Sequence, residues 1–179
     1  MANESDRIII EADEDAFTEE QAKKTVRILV FRLDTEHYCI DITSAKEVFI
    51  PQATTKVPNT PAFVIGVTNL HGEVIPLVDL RYFLGLRQKE GLGGTKALVT
   101  DVKSNAIGIM VDDVDEALNI EEVSIQPPLA TIKGRLAEFT IGQIQLSDKI
   151  AVLLDLKKIL NCNEMENLKN PDFGRAKSG

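Results

Sequence analysis

The sequence predicts an all-β fold made of two related β units, on three observations. From Arg27 onward the chain is a succession of short β-branched runs broken by turn residues, the texture of a barrel or sandwich. Two hairpin-shaped segments align at one constant offset, Leu29 with Leu98, Val30 with Val99, Leu33 with Val102, Ile40 with Ile109 and Ile42 with Val111. At 179 residues and 44% hydrophobic, the chain can bury one or two small cores without disulfides or metal.

In chain order, residues 1–25 read as a separate, disordered acidic arm, because Ile8-Ile9-Ile10 has no second apolar run near it and an acidic stretch, Glu11 to Asp15, follows. Thr18 and Gln21 have capping-box spacing, which predicts a short helix over Glu19–Lys24. Ile28–Leu33 and His37–Ile42 then flank Asp34-Thr35-Glu36 as a hairpin with a three-residue loop; Ala97–Val102 and Ala106–Val111 flank Lys103-Ser104-Asn105 in the same way. The repeat resumes at a slightly larger offset where Leu77–Leu84 matches Leu153–Leu160. Each copy is a strand running into a helical turn, with Asp79 or Asp155 as N-cap and Arg81 or Lys157 just behind.

The simplest partition is a domain over residues 26–170, with a first barrel at about 27–87 and a second at about 95–160. Gly91-Leu92-Gly93-Gly94 marks a flexible connection between them. Ile144, Leu146, Ile150 and Val152 alternate across Ser147-Asp148 as a last hairpin with one buried face, and Gly142 marks a bulge or a close backbone approach. Asn161 and Glu164 again have capping-box spacing, predicting a C-terminal helix at 162–169 that leans Met165 and Leu168 on the second barrel; a loose tail follows at 171–179.

Composition argues against most chemistry. A net charge of −8 repels a phosphate backbone, so nucleic acid is not an expected partner. No apolar run approaches a membrane span, and Cys39 and Cys162 lack C-x-x-C spacing, so a cytoplasmic protein with idle thiols is expected. The Gly91–Lys96 stretch lacks the spacing of a phosphate loop. Asp112, Asp113, Asp115 and Glu116 lack the glycine of a calcium loop and read as a solvated strand end or a protein-binding edge. His37 and His71 are the only histidines, too few for a zinc site of the usual spacing, and no nucleophile, base and oxyanion set is discernible. No enzyme activity, cofactor or metal is expected.

One stretch is ordered without carrying chemistry: Asn59-Thr-Pro-Ala-Phe-Val-Ile-Gly-Val-Thr-Asn-Leu-His-Gly-Glu-Val-Ile-Pro-Leu-Val-Asp-Leu-Arg81. It closely resembles the signature of the CheW family, adaptors of bacterial chemotaxis, whose usual form reads N-L-R-G and then P-[VI]-[VI]-D-L-R. The resemblance extends over about Arg27 to Leu160 and takes in Tyr38-Cys-Ile-Asp-Ile42, Lys46-Glu-Val48, Gly108-Ile-Met-Val-Asp112 and Leu146–Leu156.

That resemblance implies two SH3-like five-stranded barrels with an apolar seam between them. It also implies a non-enzymatic coupler that joins the cytoplasmic tips of chemoreceptors to the regulatory domain of a CheA-type histidine kinase, located at membrane-associated arrays; separately from the resemblance, the isolated chain is expected to be a monomer. Kinase binding is expected at Gly66, Asn69, His71 and Gly72, and receptor binding in the groove between barrels at Ala45, Glu47, Val48, Ile109 and Val111. Gly66 and Gly72 also read physically as places where the backbone bends or is closely approached, and Pro76 as an edge position. The stretch from Gly66 to Gly72 has no evident counterpart in the repeat, which places partner choice there. His71 stands where the family has Arg, an Arg expected to pair with the acid matching Glu47, and Ile144 replaces a common glycine. The competing reading is a stand-alone SH3-like module that binds peptides or RNA; the acidic charge and scarcity of aromatics weigh against RNA.

Overall fold

The computed structural model describes residues 23–91, 94–166 and 168. Its strands are β1 (Thr25–Leu33), β2 (Glu36–Asp41), β3 (Glu47–Phe49), β4 (Val64–Leu70), β5 (Glu73–Asp79), β6 (Lys96–Val102), β7 (Asn105–Val111), β8 (Asp113–Glu121), β9 (Ile125–Gln126), β10 (Thr140–Gln145) and β11 (Ile150–Leu154). Among the described residues, short α-helices accompany them: α1 (Leu80–Leu84), α2 (Gly134–Phe139), α3 (Leu156–Leu160) and α4 (Asn163–Glu166). The strands form a six-stranded sheet of order β8-β1-β2-β11-β10-β9 and a five-stranded sheet of order β3-β6-β7-β5-β4, the two-barrel fold the sequence predicts.

The sheets do not follow the two halves of the chain. The first hairpin, β1–β2, pairs in parallel with β11, and the second, β6–β7, pairs with β5, so neither the 27–87 nor the 95–160 segment is a barrel by itself. Leu153 stands opposite Cys39 as Leu77 stands opposite Gly108, and these are the positions that the repeat equates. Each hairpin is thus closed by the other half's strand. Internal similarity reveals which segments share a shape, not which copies meet.

Strand alternation sorts the apolar residues into three cores. On β1, Ile28 and Val30 point into the six-stranded barrel with Cys39, Ile144, Ala151 and Leu153. Leu29, Phe31 and Leu33 point the other way, into a central seam shared with Leu98, Ile107, Ile109 and Val111 of the five-stranded sheet. Leu77, Ala97 and Met110 fill the five-stranded barrel. A strand buried on both faces reads as a continuous apolar run, which is what Ile28–Phe31 is. Helices α1 and α3 add Leu80, Phe83, Leu84, Leu156, Ile159 and Leu160 to the seam. The expected caps are present: Asp79 accepts from the Arg81 N–H and Asp155 from the Lys158 N–H.

Several expectations need correction. Leu33 pairs with Glu36 and Val102 with Asn105, so both hairpin turns hold two residues, not three; Lys103 (φ 46°) and Ser104 (φ 71°) match the twist of a primed turn. Pro76 lies in β5, an interior strand, and is tolerated because the pairing with β7 begins only at Leu77. Lys24 is not helical; its carbonyl accepts from the Glu122 N–H at 2.8 Å and Thr25 opens β1, so the domain starts before residue 26. Residues 1–22 and the tail at 171–179 lie outside the described residues. The C-terminal helix is Asn163–Glu166, with Met165 buried and Leu168 packed on the central core.

Candidate partner-binding site

The site is built around the tip of the β4–β5 hairpin. Leu70 pairs with Glu73, leaving His71 and Gly72 as a two-residue turn with φ of 52° and 88°, the positive pair a twisted hairpin needs. Gly72 takes the left-handed conformation without penalty, and its N–H donates to Asn69 Oδ1 at 3.1 Å, holding the turn from the strand below. The imidazole of His71 reaches across the end of the five-stranded sheet to Glu47 on β3, with Nε2 at 3.1 and 3.0 Å from the two carboxylate oxygens. The expected His71–Glu47 pair therefore forms. Both side chains are substantially exposed, so its worth is that of a surface pair, about 0.2–1 kcal/mol.

The loops on either side of β3 are pinned by two buried threonines. Thr100 Oγ1 donates to the Ser44 carbonyl at 2.7 Å, and Thr68 Oγ1 to the Ala53 carbonyl at 2.6 Å. Thr55 and Val67 exchange two backbone hydrogen bonds of 2.9 and 2.8 Å, extending the sheet beyond β4. This bridge explains Gly66: a β-carbon there would lie 2.5 Å from the Thr55 carbonyl oxygen. Gly142 is its counterpart, facing the Gln126 carbonyl at the same distance, and both follow a register shift in their hairpins. Gly66 is therefore echoed in the second half, contrary to the expectation, and its first role is to let two backbones approach.

Of the nine residues singled out from the sequence, Asn69, His71, Gly72 and Glu47 are joined at this end of the five-stranded sheet, while Ala45 packs against the central core. Gly66, Asn69, His71 and Gly72 belong to the β4–β5 hairpin; Ala45, Glu47 and Val48 lie on or just before β3. Ile109 and Val111 do not join them. They are 1% and 0% exposed, in the seam, because alternation turns their side chains onto the β1–β2 hairpin, and β6 separates their strand from β3. The apolar seam exists, but at these two positions it is a closed core rather than a groove. Ile50 and Val74, 58% and 57% exposed, were missed from the sequence. The period-two pattern could have found Val74, since Ile75 and Leu77 face inward and so turn it outward.

Three of the four acids in the run from Asp112 to Glu116, at the start of β8, face basic side chains. Asp112 meets the buried Arg81 and also Lys89 at 3.1 Å; Asp113 meets Lys96 at 2.5 Å; Asp115 meets His37 at 3.3 Å and Lys149 at 3.0 Å. Hydrogen bonding by Lys96 holds Asp113 below the usual carboxylate range. No group of three or more His, Cys, Asp or Glu able to hold a metal occurs among the described residues. Burial pushes the Cys39 thiol up to about 12, and the His37 ring pairs with Asp115, so no thiolate–imidazole dyad forms there. No helix among the described residues is long and apolar enough to cross a membrane.

The family model described as CheW-like domain matches residues 27–164. The chain is 31% identical over 142 residues to the chemotaxis protein CheW of Klebsiella aerogenes, covering 79% of this chain and 86% of that one. It is 29% identical over 143 residues to protein FrzA of Myxococcus xanthus, covering 78% and 88%. Among solved structures, the scaffolding protein TtCheW of Thermoanaerobacter tengcongensis superposes with a TM-score of 0.65 at 31% identity, over 79% of this chain and 96% of that one.

Proposed function

This chain belongs to the CheW family, and we propose that it is a non-enzymatic chemotaxis adaptor coupling chemoreceptors to a CheA-type histidine kinase. On this reading the β4–β5 hairpin, with Gly66, Asn69, His71 and Gly72, faces the regulatory domain of the kinase. Ala45, Glu47 and Val48 face the receptor tip, with Ile50 and Val74 as added apolar contacts beside the two sets. Ile109 and Val111 contribute only by supporting the sheet from within. The adaptor works as a monomer in the cytoplasm, recruited to membrane-associated receptor arrays through protein contacts.

The observation that carries this reading is the contact between His71 and Glu47, because it joins a residue of one proposed surface to a residue of the other. Two partners seated on the ends of one hydrogen-bonded pair would sense each other through it. A short turn held by Asn69 and loops pinned by Thr68 and Thr100 keep both surfaces preorganised, which lowers the ordering cost of binding. Pull-down with a receptor cytoplasmic fragment and with the kinase regulatory domain tests it: both should be retained, and retention of neither would restore the peptide-binding module as the better account.

A further inference from the structure

We propose that Arg135 is a positioning residue that fixes the two sheets against each other, so that its loss uncouples the partners without preventing either from binding. The second half rests on the adaptor reading; the first concerns the molecule alone.

Arg135 lies in α2, in the segment that leads into β10 of the six-stranded sheet. Its guanidinium meets three groups on two other elements. Nε donates to the Phe83 carbonyl at 3.2 Å, the guanidinium carbon stands 5.8 Å from the centre of the Tyr82 ring, and a terminal nitrogen lies 2.6 Å from Glu164 Oε1 on α4. Tyr82 and Phe83 belong to α1, the helix that follows β5 of the five-stranded sheet. One side chain thus spans the seam.

The repeat makes this contact conspicuous. In helix α3, the counterpart of α1, the Ile159 carbonyl that matches Phe83 takes an N–H from the chain just beyond the helix, that of Cys162 at 3.2 Å. Helix α1 ends on Gly85 in the left-handed conformation, and its Phe83 carbonyl takes a hydrogen bond from the other sheet's Arg135 instead. A cation at a helix C-terminus is favoured, and a planar fork can meet a carbonyl, a ring face and a carboxylate at once, which an ammonium cannot. The buried Arg81 of α1 itself reaches Asp112, so the helix has a second charged contact outside its own element. Arg81 is sealed in the core; Arg135 is partly exposed and can be replaced with the cores intact.

The test uses the full chain in a Cys162→Ser background with spin labels at Ser104→Cys and Ser147→Cys, exposed turns of the two sheets; buried Cys39 stays unlabelled. Arg135→Met should broaden the inter-label distance distribution, Glu164→Gln should broaden it less, and Arg135→Lys should fail to restore it. With both partners, Arg135→Met should lower kinase activation by about fivefold while each binary affinity stays within about twofold of wild type. An unchanged distribution, or a fall in activation matched by equal falls in both binary affinities, would overturn the proposal. Failure of the wild type to bind either partner would instead overturn the adaptor reading, and the distance measurement would still judge Arg135.

Discussion

Gly66 and Thr55 lie so close that any side chain at residue 66 would press its β-carbon into the Thr55 carbonyl, and Gly142 repeats the relationship against Gln126. Gly66→Ala and Gly142→Ala should each destabilise the fold by about 1–3 kcal/mol, read as a lower midpoint in denaturant with unchanged slope. An unchanged midpoint would mean that the bridge yields at no cost. Kinase binding lost in Gly66→Ala is consequently no proof of a direct contact unless the stability loss is corrected for.

His71→Arg should strengthen the link to Glu47, since a guanidinium is always charged and grips a carboxylate with two parallel donors, whereas an imidazole is charged only when protonated. Calorimetry with the kinase regulatory domain should show affinity changed by about two- to fivefold, the range of an exposed pair, and less so at high salt. Equal affinity and equal kinase activation for both proteins, across pH, would show that the pair does not influence partner choice.

The two thiols should differ sharply in reactivity. Cys39 is fully buried with its thiol pushed up to about 12, while Cys162 is only partly covered, its thiol raised chiefly by burial. Mass spectrometry after alkylation of the native protein should find Cys162 modified first and Cys39 only at the rate of unfolding. Early labelling of Cys39 would place it outside the core.

Acid should weaken the fold through carboxylates that bind cations or N–H groups. Hydrogen bonding holds Asp34 (through Lys89), Asp113 (through Lys96) and Glu164 (through its own backbone N–H, then Arg135) below the usual range. A depressed folded value adds stability that is present above the unfolded carboxylate range, about pH 4, and is lost as pH falls through the folded values. Asp79 acts in the opposite sense, because burial raises it. The melting temperature should therefore drop below about pH 4, and Asp79→Asn should remove the gain that the wild type makes as pH falls from 7 towards 4. A flat profile would show that these contacts do not persist in solution.

Much of this architecture was legible because it depends on local rules. The caps at Asp79 and Asp155 and the hairpins follow from spacing and alternation, and the match of Leu77–Leu84 with Leu153–Leu160 identified the closing strands. Which hairpin each strand closes was not legible: Leu77 and Leu153 carry the same signal, and only packing of the whole seam decides between them. The same gap misplaced Ile109 and Val111, whose apolar character suits a groove and a core equally. Arg135 gave no local signal at all, since its partners Phe83 and Glu164 lie 52 and 29 positions away and on different elements.

The most direct test of the adaptor reading is whether one molecule of this protein holds both partners at once. Immobilised receptor cytoplasmic fragment should retain the kinase regulatory domain only when the protein is added, with the retained kinase rising in step with the protein bound. Kinase retention that is independent of the protein, or receptor and kinase displacing one another from it, would contradict the account.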